Sequence, residues 1–342
     1  MSQSQGELEV IGAELGPAGG MPDAGLGPES EKVIEGRSLG RIAWDTLKHD
    51  KTAMAAGVVL VLIVLAAIFA GVICKALGVS PNDFNSELVS GDTLLPLGAF
   101  GGSTGQHLLG VEPINGRDVL ARILFGARTS LVIGVLATLL SLVVGVTMGL
   151  LAGYYRKGVD LVISWIMDTL LSFPVLLFSI ALIAVFSTLP DGQLGVSAGT
   201  LKFILIIFVL GFFGWPYIGR IVRGQVLSLR EKEFVDAARS LGASDRRIIT
   251  REILPNLIGP ILVYSTLTIP NNILGEAGLS YLGIGLNPPT SSWGQMLDTA
   301  GRFYQVDFWF LLWPGLALFI TVLAFNLFGD GLRDALDPRS TR

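Results

Sequence analysis

Residues 130–153 read SLVIGVLATLLSLVVGVTMGLLAG, 24 positions without a charge. Crossing a hydrocarbon core of ~30 Å takes about 20 helical residues, so this stretch is long enough to span a membrane. Backbone groups in lipid need internal hydrogen bonds, which makes it a helix. Within it Gly145, Gly149 and Gly153 recur every four residues. Such a small-residue row lets a second helix approach closely. It does not say whether that helix belongs to the same chain.

Five more blocks share this character. Ala53–Ile73 is 21 residues without a charge, and Leu161–Ser187 is apolar except for Asp168. Phe203–Gly219 is marginal at 17 residues, while Leu257–Gly275 has 19 but carries Pro260, Pro270, Asn271 and Asn272. Phe308–Gly329 has 22. Apolar residues make up 51% of the chain and charged residues 15%, against roughly 25% charged in soluble domains. The mean hydropathy is +0.63. An ordinary soluble enzyme does not fit. The expectation is an all-α, polytopic bundle of six transmembrane helices.

Orientation follows from the basic residues. Stretches before the first block, between the second and third, between the fourth and fifth, and after the sixth hold 18 of them, against 6 on the alternate side. Both termini are therefore expected in the cytoplasm. Residues 1–36, with seven acids and eight glycines against one lysine, read as a disordered acidic tail. Residues 37–52 form an amphipathic segment with Trp44 as an interface anchor. Residues 53–129 hold the first span and an extracytoplasmic loop, 130–329 the main transmembrane domain, and 330–342 a cytoplasmic tail. No cleavable signal peptide is read; the first block serves as an uncleaved anchor.

Several chemistries find no support. A net charge of −4 gives no basic footprint for nucleic acid. One cysteine, Cys74, excludes an internal disulfide, and with His49 and His107 as the only histidines no metal site is expected. There is no GxxxxGK[ST] loop to hold ATP. Gly195–Gly199 matches GxSxG around Ser197, but no histidine follows it in the chain, so a hydrolase is disfavoured.

The stretch between the fourth and fifth blocks exceeds what two adjacent spans require. Glu231–Leu241 has good helix formers, with Phe234, Val235, Ala238 and Leu241 as an apolar stripe. Gly242 suits a left-handed helix stop. Ser244 suits an N-cap, with Asp245 in the first turn of a second helix that ends before Pro255. Helix, glycine turn and helix make a protruding elbow. Its six basic and five acidic residues over 229–256 nearly balance, which suits a protein surface better than anionic lipid.

Asp236–Ala237–Ala238, Gly242 and Leu254–Pro255, at their spacing, resemble the EAA loop of importer-type ABC transporter permeases. Asp236 replaces the usual glutamate, and Glu252 stands where an apolar residue or histidine is common. Gly116–Arg122 (GRDVLAR), Gly126–Leu131 (GARTSL), Asp160 and Asp168 with Ser172–Pro174, Gly275–Gly283 (GEAGLSYLG), Trp293–Leu297 (WGQML) and Gly331–Arg339 (GLRDALDPR) are similar to segments of the dipeptide, oligopeptide and nickel permease family, C-type subunit. The likeness covers roughly residues 37–342.

The resemblance implies a transport subunit, not an enzyme, in the inner membrane of a bacterial or archaeal cell. Its partners would be a homologous permease in a heterodimer, two ATP-binding subunits, an extracytoplasmic substrate-binding protein and the bilayer. No cofactor would be bound by this chain; ATP and Mg would sit in the ATPase subunits. The 230–256 loop would couple to an ATPase through Asp236, Ala237, Ala238, Arg239, Gly242, Ser244, Arg246 and Arg247. Asp168, Pro174, Asn271 and Asn272 are candidates to line the translocation path, Pro174 and Pro270 by kinking their helices. Glu276 and Trp293 lie on outer segments within reach of a binding protein, although Trp293 reads first as an ordinary interfacial tryptophan. The resemblance points to dipeptides or oligopeptides as the cargo, with nickel or another small solute as the alternative. A stand-alone transporter using Asp168 as an ion site has no need of the elbow.

Overall fold

The computed structural model describes residues 39–188, 192 and 195–336. The acidic stretch 1–36 and residues 337–339 of the C-terminal segment lie outside the described residues. The described part is helical, apart from isolated bridges pairing Val89 with Pro96 and Val111 with Asp118.

A short amphipathic helix α1 (Leu39–Leu47) leads to Asp50, whose side chain caps α2 (Lys51–Ile68) by accepting from the Thr52 and Ala53 amides. The first apolar block is not one helix: it breaks at Phe69 and continues as α3 (Ala70–Leu77), which stops at left-handed Gly78. A 40-residue stretch with one 3-10 turn (Ser86–Leu88) precedes α4 (Val119–Tyr154), capped by Asp118. Then follow α5 (Gly158–Ser172), α6 (Val175–Ser187) and α7 (Ala198–Arg230).

The elbow comprises α8 (Glu233–Ser240) and the single turn α9 (Asp245–Arg247). A π-helical segment, Ile248–Ile253, joins α9 to α10 (Leu254–Tyr281). Two helices finish the chain, α11 (Trp293–Ala300) and α12 (Phe308–Leu336).

Five helical stretches are long and apolar enough to span a membrane: α2, α4, α7, Asp245–Tyr281 and α12. The third block, expected as one kinked span, is instead a pair, α5 and α6, bent by 80°. The cause is local. Proline disfavours helical geometry in the residue before it, and Phe173 is extended at φ −77°, ψ 134°. Pro270 does not act this way, since α10 runs past both Pro260 and Pro270.

The marginal fourth block proves to be the core of a 33-residue helix. Polar residues on both sides extend α7 beyond the apolar stretch, so Arg220 and Arg223 belong to a span and the connecting loop begins only at Glu231.

The glycine row settles against α7 of the same chain. A Cβ placed at Gly145, Gly149 or Gly153 would stand 2.8 Å from Trp215 O, 2.7 Å from Gly219 O and 2.6 Å from Val226 Cβ respectively. Any side chain there would force the two backbones apart.

Candidate functional site

The elbow sits at the end of the α4–α7 pair. Its interior is apolar: Val235, Ile248 and Ile253 are fully buried and pack with Leu150, Tyr154, Ile218, Val222, Val226 and Leu257. Each such side chain contributes about 1.5–3 kcal/mol on burial, so the elbow is seated on the body rather than hung from it. Two polar ties add to this. The Tyr154 hydroxyl donates to Asp245 Oδ1 at 2.7 Å, and Arg230 Nη1 donates to the Tyr154 carbonyl at 2.7 Å.

Gly242 turns the chain at φ +79° with nothing within 4 Å of where a side chain would begin. Ser244 occupies the N-cap position with extended geometry, but its side chain makes no capping bond; the Asp245 carboxylate is turned to Tyr154 instead. The second helix does not end before Pro255. Proline lacks an N–H and crowds the carbonyl four residues back. The π turn widens the helix there, with Leu254 N–H reaching back five residues to Ile249 O.

The elbow's outer surface is formed by the sequence-derived candidates. Asp236, Ala237, Arg239, Gly242, Ser244, Arg246 and Arg247 are exposed and Ala238 is half-buried. Asp236 and Arg239 pair at 3.0 Å. The expected apolar stripe divides: Val235 faces inward, whereas Phe234 is 39% and Leu241 89% exposed. Leu241 closes α8 just ahead of the glycine turn, so its side chain leaves the helical face.

A second feature lies beside the elbow, between α5 and α7. Asp160 accepts from Arg223 Nε at 2.5 Å and Nη2 at 2.8 Å, and Asp168 pairs with Arg220. The Asp168 and Arg220 side chains are 66% and 55% exposed within the chain. Charges on a span face protein or water rather than lipid, so this face of α5 and α7 is not a lipid face. Pro174 is one residue before α6 and borders this region through the α5–α6 break.

Asn272 and Asn271 are elsewhere. Asn272 is buried and donates to Thr138 Oγ1 at 2.9 Å, joining α10 to α4; exposed Asn271 donates to Leu267 O at 3.0 Å in its own helix. The structure therefore does not bring Asn271 and Asn272 together with Asp168.

The end of α4 remote from the elbow holds a buried polar node. Glu276 accepts from Ser280 at 2.8 Å, Ser292 at 2.7 Å and Ser130 at 3.1 Å, and the Trp293 amide donates to Ser130 Oγ at 3.3 Å. Glu276 and Trp293 are 0% and 1% exposed. They tie α4, α10 and α11 together and are not a contact surface, contrary to the reading from sequence. Ser197 of the GxSxG match is the N-cap of α7, its Oγ accepting from the Thr200 amide. Among the described residues no cluster of metal-ligating side chains occurs.

The residues that sequence reasoning missed are Tyr154, Arg220, Arg223 and the outward-facing Leu241. The one available signal was spacing. Asp160 and Asp168 lie eight apart on α5, and Arg220 and Arg223 three apart on α7, which places each pair on one helical face.

This architecture is that of a polytopic helical membrane protein. The chain belongs to the binding-protein-dependent transport system inner membrane component family, whose model matches residues 145–342. The N-terminal TM domain of oligopeptide transport permease C matches residues 38–88. The dipeptide transport system permease protein DppC of Alkalihalophilus pseudofirmus is 38% identical over 312 residues, covering 91% of this chain and 94% of that protein. The glutathione transport system permease protein GsiD of Escherichia coli is 38% identical over 296 residues, covering 86% and 89%. Among solved structures, an inward-facing MetNI methionine ABC transporter chain shares the fold at a TM-score of 0.50 and 20% identity, covering 64% of this chain and 96% of that one.

Proposed function

We propose that this protein is a permease subunit of an ATP-driven ABC importer and forms half of a translocation path for dipeptides or oligopeptides handed over by an extracytoplasmic binding protein. The relatives named for dipeptide and glutathione transport support a peptide cargo. In this reading the partner is a homologous permease, and two ATP-binding subunits beneath the pair hold ATP and Mg. The elbow end is cytoplasmic, in keeping with the basic-residue count.

The observation that carries the reading is the elbow: firmly seated, turned at Gly242, and presenting Leu241 and a balanced set of charges. An ATPase groove can move a path only through contacts that differ in energy between two states. A firm handle transmits that difference. Its helix α8 follows directly on α7, which carries Arg220 and Arg223. Displacing the elbow would therefore shift these arginines against Asp168 and Asp160 on α5, and we place this charged face on the cytoplasmic half of the path.

The chain simplifies the test, because its single cysteine, Cys74, is buried. Leu241→Cys then offers one reactive thiol on the elbow. In the assembled transporter it should crosslink to an ATPase subunit, and ATP should change the yield. A transporter active in ATP-driven peptide uptake whose elbow crosslinks to no ATPase subunit would overturn the reading.

A further inference from the structure

Arg128 stands on α4 two residues ahead of the uncharged run that begins at Ser130. It is exposed, and among the described residues its guanidinium has no hydrogen-bond or ion-pair partner. The two other arginines at this end of α4, Arg117 and Arg122, are buried and both pair with Glu112. An arginine near the end of a span avoids hydrocarbon by extending its head to the interface. Helical side chains lean toward the N-terminus. Arg128 therefore reaches out of the apolar run toward the membrane surface remote from the elbow.

Beside it runs a groove of about 380 Å³ between α2, α4 and α12. The lining positions on α4 are 128, 131, 132, 135 and 136, one helical face over two turns, about 12 Å. Arg128 heads this row, and every other described residue that lines the groove is apolar. Ala67 and Leu131 are buried at its base, where they pack with Ile273 and Trp293. Ile68, Val135 and Leu136 on its sides are 63%, 45% and 41% exposed.

A groove that is apolar along its length and cationic at its surface end fits an amphiphile with an anionic head. A guanidinium forks onto a phosphate through two N–H donors, and lipid phosphates lie at the depth where the apolar run of a span ends. A hydrocarbon chain then lies along the row from Leu131 to Leu136. A neighbouring helix fits less well. With side chains it is 10–12 Å across, so three turns displace on the order of 1,000 Å³, against about 380 Å³ in the groove. It would also bury Arg128 unless it brought an acid to the same depth.

We infer that Arg128 and the groove between α2, α4 and α12 hold one anionic phospholipid of the leaflet remote from the elbow, its phosphate on the guanidinium and one acyl chain in the groove. Seated there, the lipid fills the gap between α4 and the α2–α12 pair and braces the bundle. The inference needs only the membrane-spanning fold and holds whichever cargo the protein carries.

The test uses the complete transporter, purified in neutral detergent with the subunits that accompany it. The probes are dioleoyl phosphatidylglycerol, dioleoyl phosphatidylcholine and glycerol phosphate. Native mass spectrometry counts bound lipid, and thermal melts read its effect. Wild type should retain phosphatidylglycerol in preference to phosphatidylcholine and melt higher with it. Glycerol phosphate, which lacks chains, should not raise the melt. Arg128→Gln should weaken phosphatidylglycerol retention about five-fold and remove its thermal shift, while Arg128→Lys keeps part of both. Val135→Trp narrows the groove with the guanidinium in place, and should weaken both phospholipids alike. An unchanged phosphatidylglycerol count and shift in Arg128→Gln overturns the inference. So does equal retention of the two phospholipids by wild type, or a glycerol phosphate shift as large as the lipid's, which would mark a free-phosphate site. Loss of an accompanying subunit from Arg128→Gln would assign the arginine to a protein interface and overturn it as well.

Discussion

The hydroxyl of Tyr154, the last residue of α4, donates to Asp245 at 2.7 Å across 91 positions of sequence. This bond ties the second limb of the elbow to the helix that carries the glycine row. Tyr154→Phe keeps the ring and removes about 1 kcal/mol of tie. We expect the complex to assemble and hydrolyse ATP while peptide uptake per ATP falls. Uptake and phosphate release measured on the same proteoliposomes decide it, and an unchanged ratio removes the tie from the mechanism.

Gly242 has room for a side chain but not the backbone for one. Gly242→Val forces a β-branched residue to φ +79°, at about 1–2 kcal/mol, and should reshape the turn and abolish most ATP-driven uptake. Gly242→Asn tolerates that geometry and should retain most of it. Equal activity in the two variants would show that turn shape does not matter.

Gly149 faces Gly219 O at 2.7 Å and Val222 Cβ at 2.7 Å, whereas Gly224, within α7, meets nothing within 4 Å. Gly149→Ala should cost about 1–3 kcal/mol by overpacking. Gly224→Ala should be neutral or slightly stabilising. Thermal melts in detergent order the two; a Gly149→Ala melt at or above wild type contradicts the close approach of α4 and α7.

Glu276 is an acceptor for three hydroxyls. Glu276→Ala leaves Ser130, Ser280 and Ser292 without it, at about 1–3 kcal/mol for each hydroxyl left unpaired. Glu276→Gln keeps an acceptor and the shape, and should melt close to wild type. If alanine and glutamine variants melt together, the node contributes little.

Asp168 and Arg220 form an exposed pair, so their exchange is better read in transport than in stability. Asp168→Asn and Arg220→Gln should each lower uptake. The swap Asp168→Arg with Arg220→Asp should recover it if pairing between α5 and α7 is what matters. A swap no better than either single variant would assign the charges to the cargo instead.

The six apolar blocks and the elbow were legible because each is a local pattern: an uncharged run of membrane length, or a helical stripe interrupted by glycine. The ends of the helices were not. Arg220 and Arg223 look like loop residues, yet α7 continues through them, each held by an acidic partner on α5. The ion pairs on α5 join positions 52 and 63 apart, and no short-range spacing encodes such a meeting. Proline effects depended on context. Pro174 follows a residue free to become extended, whereas Pro270 is held within a packed helix. Leu94, Phe100 and Ile114, at φ 56°, 55° and 71°, carry no turn chemistry at all, so their left-handed backbone was invisible to composition.

The unbroken course of α7 has a mechanical corollary. At 33 residues it extends about 50 Å, and the glycine row of α4 grips it from Trp215 to Val226. Pro216, which takes one backbone hydrogen bond out of the helix, lies at the edge of that grip, packed against α4. The stretch of α7 that carries Arg220 and Arg223 is thus joined to α4, and under the importer reading proposed above a displacement of the elbow would carry both helices together.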